Sequence, residues 1–427
     1  MKRVKLVFWV STLILVLAFL PVAGYSQSLK ITFLNSKGEI QTQLEEIAVL
    51  YSELKPDVAL EIIPCPVGQS PFEKIVSMYA SGNAPTISMV DAGDVKKFQD
   101  RVLTLTSEKW VGDAIAGSLD MATLGDGTVL GFPFAVEGYG LIYNKKVIDE
   151  AVGSFDPSSV RTRKDLETLF ENIKVSGVEP LVVSPLDWSL GAHFFPISYA
   201  AQSPDLKKVD EFLQNLRAAK VDLSENAVVN GLLDTFDVMK KYNIDRNDPL
   251  SGTYDRGVAL IGTGEVGLWF MGNWAWPQIS EFAADNLQFG FLPVPISDNP
   301  DDYGNSQIPV GATKFLIIDK DQNSKEAQEA AKDFLNWLIY DEIGQNMLVN
   351  KLNIIPAFKN VTLEPQDPLA KSILQYIREG KTMQFVLDLP PDHWSMVGAS
   401  MQKYLADVVD REGLLDEIEN YWKANVK

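Results

Sequence analysis

Residues 29–64 read LKITFLNSKGEIQTQLEEIAVLYSELKPDVALEIIP, and the way this stretch divides decides the fold. LKITFLN (29–35) is a short apolar run closed by Asn, Ser and Gly, the pattern of a strand. Over 42–54, Leu44, Ile47, Leu50, Tyr51 and Leu54 recur at helical spacing and give one apolar face. ALEIIP (59–64) is strand-like again, and strand–helix–strand alternation predicts a parallel or mixed sheet covered by helices. Working outward, Ser70-Pro71-Phe72-Glu73 has the form of a capping box with Pro at the first helical position. TISMVDA (86–92) and GLIYNK (140–145) read as further strands. Helical patterns follow at 205–219, at 224–241 behind Ser224 and at 324–340 behind Ser324. The apolar runs VALI, VGLWFM, FGFLPVP and TKFLII lie between the last two, and 362–425 reads as mostly helical. No repeat or low-complexity linker divides the chain, which suits two lobes that the chain crosses more than once.

Bulk properties narrow the function. The chain has 427 residues, 46% hydrophobic and 22% charged, an ordinary globular balance with length for two domains or one bilobal body. Its formal charge of −19 repels nucleic-acid phosphates, and no basic stripe offsets it. Lys2, Arg3 and Lys5 precede an apolar run, Leu6 to Leu20, broken only by Ser11 and Thr12. Pro21 and the small residues Ala23, Gly24 and Ser26 then complete the pattern of a signal peptide over 1–26, cleaved after Gly24 or Ser26. The run is short for a bilayer span, and no cysteine stands near it to carry a lipid. A soluble exported protein retained in a periplasm is expected. Cys65 is the only cysteine, so no intramolecular disulfide can form, and its place after a strand predicts a buried, inert thiol. With two histidines, His193 and His393, the sequence offers no metal-ligand cluster and no Cys–His nucleophile pair.

Several motifs carry bland readings. Gly262-Thr263-Gly264-Glu265-Val266-Gly267 matches G-x-G-x-x-G, but the strand-like VGLWFM follows where a nucleotide site needs a helix, so a hairpin-like turn is expected. Asp245 and Asn247 lack the Gly and Glu of a calcium loop and read as a polar turn. No carboxylate pair stands out for glycoside hydrolysis. What remains is a set of aromatics and acids at strand ends and glycine turns: Glu39, Asp91, Glu137, Trp188, His193, Trp274 and Trp394. Sugars explain this mixture, because their CH faces stack on indoles while their hydroxyls need donors and acceptors. In GLWFMGNWAWPQI (267–279), Trp269 lies within a strand pattern and reads as core. Gly272 and Asn273 turn the chain out, Trp274 faces a cleft, and Trp276 and Pro277 open a short helix.

With those segments in hand, the chain resembles the family 1 extracellular solute-binding proteins of carbohydrate ABC importers, with the layout of maltose-binding protein. The resemblance spans the mature chain. It is carried by ITFLNSKGE, PDVALEIIP, YASGNAPTISMVDAGDVKKF, DGTVLGFPFAVEGYGLIYNKKVIDEA, GEVGLWFMGNWAWPQI, LPVP, IPVGATKFLII and AAKDFLNWL with its following IIPAF. It implies a periplasmic-binding-protein type II α/β fold, with two lobes joined by a three-crossing hinge around a ligand cleft. One lobe would comprise 27–136 and 313–356, the other 139–310 and 358–427. Glu137 matches the hydroxyl-bonding glutamate near the first crossing, and Asp91 a polar contact after a first-lobe strand. Ser36, Lys37 and Glu39 match the first ligand loop, and Trp274 a stacking aromatic of the second lobe. Trp188 and Trp394 match further aromatic platforms more loosely, with His193 and Asp392 weaker again. The implied function is non-catalytic capture of a sugar, without cofactor or metal, by a monomer that delivers it to permease transmembrane subunits and has no nucleic-acid partner. The rivals are an exported glycoside hydrolase and the same fold holding a peptide or polyamine. NSKGE differs from the loop of maltose-binding protein, so maltose is not implied.

Overall fold

The computed structural model describes residues 28–66 and 69–425; the expected signal peptide over 1–26 lies outside the described residues. The opening stretch folds as read. β1 (Leu29–Asn35) lies parallel to β2 (Val58–Pro64), paired from Leu29–Val58 to Asn35–Pro64, and the helix Gln41–Leu54 crosses between them. That helix buries Leu44, Ile47, Ala48 and Tyr51, while Leu54 at its end is exposed. Ser70 caps the next helix, Pro71–Ala80, by accepting from Glu73 N at 3.4 Å.

β3 (Ile87–Asp91), β4 (Phe132–Asn144), β5 (Glu179–Val182), β6 (Val266–Gly272), β7 (Phe289–Leu292), β8 (Ile308–Ile318) and β9 (Thr382–Gln384) complete a mixed sheet. Its order is β2-β1-β3-β8-β4-β6-β5, with β7 also on β4 and β9 on β8. Two long strands join its halves. β8 pairs with β3 through 314–318, and β4 pairs with β8 through 132–138 before continuing through 139–144 against β6 and β7. A third segment crosses beside them, where Val136 N donates to Ile355 O at 3.0 Å. The chain therefore passes three times between two α/β layers, around Glu137. Interlocked rings fill each layer: Tyr51 meets Phe334 at 5.0 Å in the first, and Phe194 meets Phe236 at 4.6 Å in the second. Each fully buried ring of this kind contributes about 1.5–3 kcal/mol by area removed from water.

Three local expectations are corrected. The Gly262–Gly267 run is not a hairpin turn: the helix Tyr254–Thr263 closes on Gly264 at φ +83°, and Val266 opens β6. The apolar run VALI, which fits either element until its cap is considered, lies inside that helix, capped by Thr253. Asn226, not Ser224, caps the helix Ala227–Tyr242: its Oδ1 accepts from Val229 N at 2.9 Å, while Ser224 lies in the preceding turn with its hydroxyl donating to Asp222 at 2.6 Å. Cys65 is half-buried, 3.5 Å from Gln69 O, although burial still pushes its thiol up. As expected, Asp245 sits in a polar turn, paired with Arg256 at 2.7 Å.

The helix Pro368–Arg378 buttresses the crossing. Ile373 packs on Gly138, and Ser372 Oγ accepts from Phe291 N at 3.1 Å. Its cap, Asp367, is 2% exposed; one oxygen accepts from Leu369 N and the other has no partner. Burial pushes this carboxyl up to about 7. A folded-state value above the unfolded one means the folded chain binds the extra proton between about pH 4 and 7, so this group costs stability at higher pH and relieves it as pH falls. Asp367→Asn, which keeps the cap, is expected to raise stability by on the order of 2 kcal/mol at pH 8 and to change little at about pH 4. Denaturant melts at the two pH values check this; an equal effect at both would remove the proton from the explanation.

Candidate ligand-binding cleft

The first wall begins where β1 ends. Asn35 is 1% exposed and pins the following loop: its Oδ1 accepts from Lys37 N at 2.9 Å, and its Nδ2 donates to Lys37 O at 2.8 Å and Gln41 Oε1 at 2.9 Å. Lys37 is thereby turned inward, only 4% exposed, and its ammonium joins Glu39 at 2.6 Å and Glu137. The other Glu137 oxygen accepts from Thr313 Oγ1 on β8. Burial alone would push the Glu137 carboxyl up. The charges of Lys37 and Lys314 and the bonds from Lys37 and Thr313 outweigh it and hold the carboxyl below its ordinary value. Burial likewise favours the neutral form of Lys37, but Glu137 and Glu39 hold its ammonium well above the usual lysine range. Beside this triad, Lys314 pairs with Asp91 at the end of β3. Ser36 Oγ is buried without a partner.

The second wall is aromatic. Asn273 is 3% exposed, and its Oδ1 accepts from Gly138 N at 3.0 Å, which ties the turn after β6 to the crossing strand. Trp274 then folds back over Gly272, where even a Cβ would lie 2.1 Å from its ring. Its indole lies 5.0 Å from the His193 ring and 6.3 Å from Trp188, and Trp188 meets His193 edge-on at 5.5 Å. Tyr139 and Phe385 close around His193 at 4.9 and 5.6 Å. Burial pushes the His193 imidazole down to about 4, so it is neutral at pH 7, and its Nδ1 has no partner.

The walls meet at a cavity of about 10 Å³ lined by Lys37, Glu39, Glu137, Asn273, Trp274 and Asn353. That is room for about one water, whereas small-molecule sites occupy roughly 300–1,000 Å³. A molecule of that size does not fit the cavity as it stands. Asn353, on the third crossing segment, adopts φ +54°, a left-handed conformation that Asn tolerates better than most residues. Among the described residues no cluster of His, Cys, Asp or Glu could hold a metal, and no helix is long and apolar enough to cross a membrane.

Of the residues singled out from sequence, Lys37, Glu39, Glu137 and Trp274 line one cavity, with Ser36 next to Lys37 in the same loop. Asp91 adjoins the first wall through Lys314, while Trp188 and His193 join through Trp274. Two do not join. Asp392 accepts from the Tyr421 hydroxyl at 2.8 Å beside the buried His393, and Trp394 is 43% exposed on the helix His393–Leu405. Sequence reasoning missed Asn35, Asn273, Thr313 and Lys314. Only Lys314 leaves a signal, a lone charge inside the apolar run ATKFLII.

Comparison with known proteins agrees with this architecture. The profile for bacterial extracellular solute-binding proteins matches residues 57–372. An uncharacterized ABC transporter extracellular-binding protein of Pyrococcus horikoshii is 24% identical over 365 residues, 83% of this chain and 77% of the relative. The solute-binding protein RafE in complex with raffinose superposes with a TM-score of 0.77 at 17% identity, covering 94% of this chain and 100% of that one. A chitin oligosaccharide binding protein gives 0.74 at 20% identity, over 94% and 100%. Maltose-bound MalE3 of T. maritima gives 0.67 at 18%, over 93% and 100%. Their likeness is one of fold, and the profile match covers most of the chain: this protein belongs to the bacterial extracellular solute-binding protein family.

Proposed function

We propose that the protein captures a sugar or oligosaccharide between its lobes and delivers it to the membrane subunits of an ABC importer. The observation that carries this reading is the meeting of a wall of paired charges with a wall of rings at the three-strand crossing. A pyranose offers CH faces to Trp274, Trp188 and His193, and hydroxyls to Ser36, Glu39, Glu137 and Lys37. The binding proteins for raffinose, chitin oligosaccharide and maltose share the fold and support a carbohydrate ligand. The lobes would comprise 27–136 with 313–356 and 139–310 with 358–427. Closure is favoured only by a ligand that touches both walls.

The protein works without catalysis in this reading. Hydrolysis of a glycoside needs one carboxyl held protonated near neutral pH, but Lys37 and Thr313 hold Glu137 in the ionised form. Export by a cleaved signal peptide without lipid anchor, a monomeric state and no nucleic-acid partner complete the proposal; the charge of −19 supports the last. A thermal-shift screen of mono- and oligosaccharides tests it. At 100 times its dissociation constant, the right sugar stabilises by about 2.7 kcal/mol. A melt that moves with a peptide or polyamine and with no carbohydrate would reject the sugar.

A further inference from the structure

We propose that the cleft is selective by charge, accepting uncharged or amino-bearing saccharides and rejecting those that carry a carboxylate. This rests on the sugar-binding reading and deepens it.

A uronate brought between closed lobes loses its water and needs an unengaged cation or several donors in exchange. Among the described residues, the cleft leaves no ammonium group unengaged. Its two ammonium groups, Lys37 and Lys314, are both already joined to carboxylates: Lys37 to Glu39 and Glu137, Lys314 to Asp91. Two cations thus face three carboxylates, and the surplus is negative. Within each pair the lysine is the less exposed partner, 4% against 17% for Lys37 and Glu39 and 17% against 48% for Lys314 and Asp91. Neighbouring Asp94 adds no net charge, because Lys97 pairs with it. His193 supplies no cation at pH 7, since burial keeps its imidazole neutral.

The buried polar atoms left without any partner at the two walls are uncharged. Ser36 Oγ and His193 Nδ1 are buried beside the two walls with no partner; they can serve sugar hydroxyls but bring no positive charge to offset that of an anion. The field of the whole chain acts in the same direction: a formal charge of −19 lowers the local concentration of anionic saccharides and raises that of cationic ones. A carboxylate about 5 Å from an uncompensated like charge is disfavoured strongly enough, at the effective dielectric of a partly buried site, to be read as a change of tenfold or more in affinity.

The test is a calorimetric titration of the mature protein with charge-matched trisaccharides. Galactotriose, cellotriose, N-acetylated chitotriose and deacetylated chitotriose represent the uncharged and amino classes. Trigalacturonate, a C6-oxidised cellotriose and their methyl esters represent the same shapes with and without charge. At least one uncharged or amino trisaccharide is expected to bind, its uronate counterpart at least tenfold more weakly, and the methyl ester to recover part of the loss. A uronate that binds as tightly as its uncharged parent overturns charge selection and leaves sugar capture standing. A methyl ester as weak as the uronate also overturns it, because shape then explains the loss. Failure of every saccharide overturns both readings.

Discussion

Lys37→Met is expected to destabilise the protein by about 3–5 kcal/mol, the usual consequence of removing one partner from a buried ion pair. Methionine fills similar volume, so the loss comes from charge. Glu137 is 5% exposed and would remain in the crossing with only Thr313 bonded to it and Lys314 nearby. The dependence on pH separates this from simple repacking. In the native protein the Glu137 carboxyl titrates below its unfolded value, so its contribution is present above about pH 4.5 and is lost as pH falls through the folded value. Without Lys37, burial dominates and the folded value rises above the unfolded one. The variant's deficit should then be greatest at neutral pH and shrink toward pH 4. Denaturant melts of both proteins at pH 7 and 4.5 measure this, and Lys37→Met with Glu137→Gln should recover much of the neutral-pH loss. A deficit under 1 kcal/mol at pH 7, or one independent of pH, would mean that the triad does not hold the crossing together.

Trp274→Ala is expected to weaken sugar binding by about 2–4 kcal/mol, or roughly 30- to 1,000-fold, as for a central aromatic anchor. Its effect on the fold should be small by comparison, because Trp274 is half-buried and lines the cavity. Trp269 lies five residues earlier, is 0% exposed and donates from its indole to Ser184 Oγ at 3.0 Å. Trp269→Ala should give the opposite profile, losing about 3–5 kcal/mol of stability. Titration and melting of both variants check the division. Equal affinity in Trp274→Ala and the parent would remove that ring from the site.

The same two tryptophans show what the sequence could carry. Trp269 reads as core because its neighbours in VGLWFM are apolar, and Trp274 reads as turned outward because Gly272 and Asn273 intervene. The first strand–helix–strand unit is legible for a similar reason: its spacing is local and its breakers are plain. β4 is not, since Glu137, Gly138 and Gly140 interrupt a strand of 13 residues whose continuity depends on β8 alongside it. The role of Lys314 is not legible in sequence because only the tertiary fold sets Asp91 opposite it. Residues 391–395, PDHWS, combine an acid with an indole as a cleft rim would, yet Asp392 is engaged by Tyr421 from the last helix, a contact no local pattern foretells.

Titration calorimetry with the best oligosaccharide from the thermal screen, followed by chromatography of the sugar, tests capture most directly. Micromolar or tighter affinity, about 8 kcal/mol or more, with one ligand per chain and the sugar recovered intact, is the expected result. Heat from no saccharide, or recovery of shortened sugar, would contradict it.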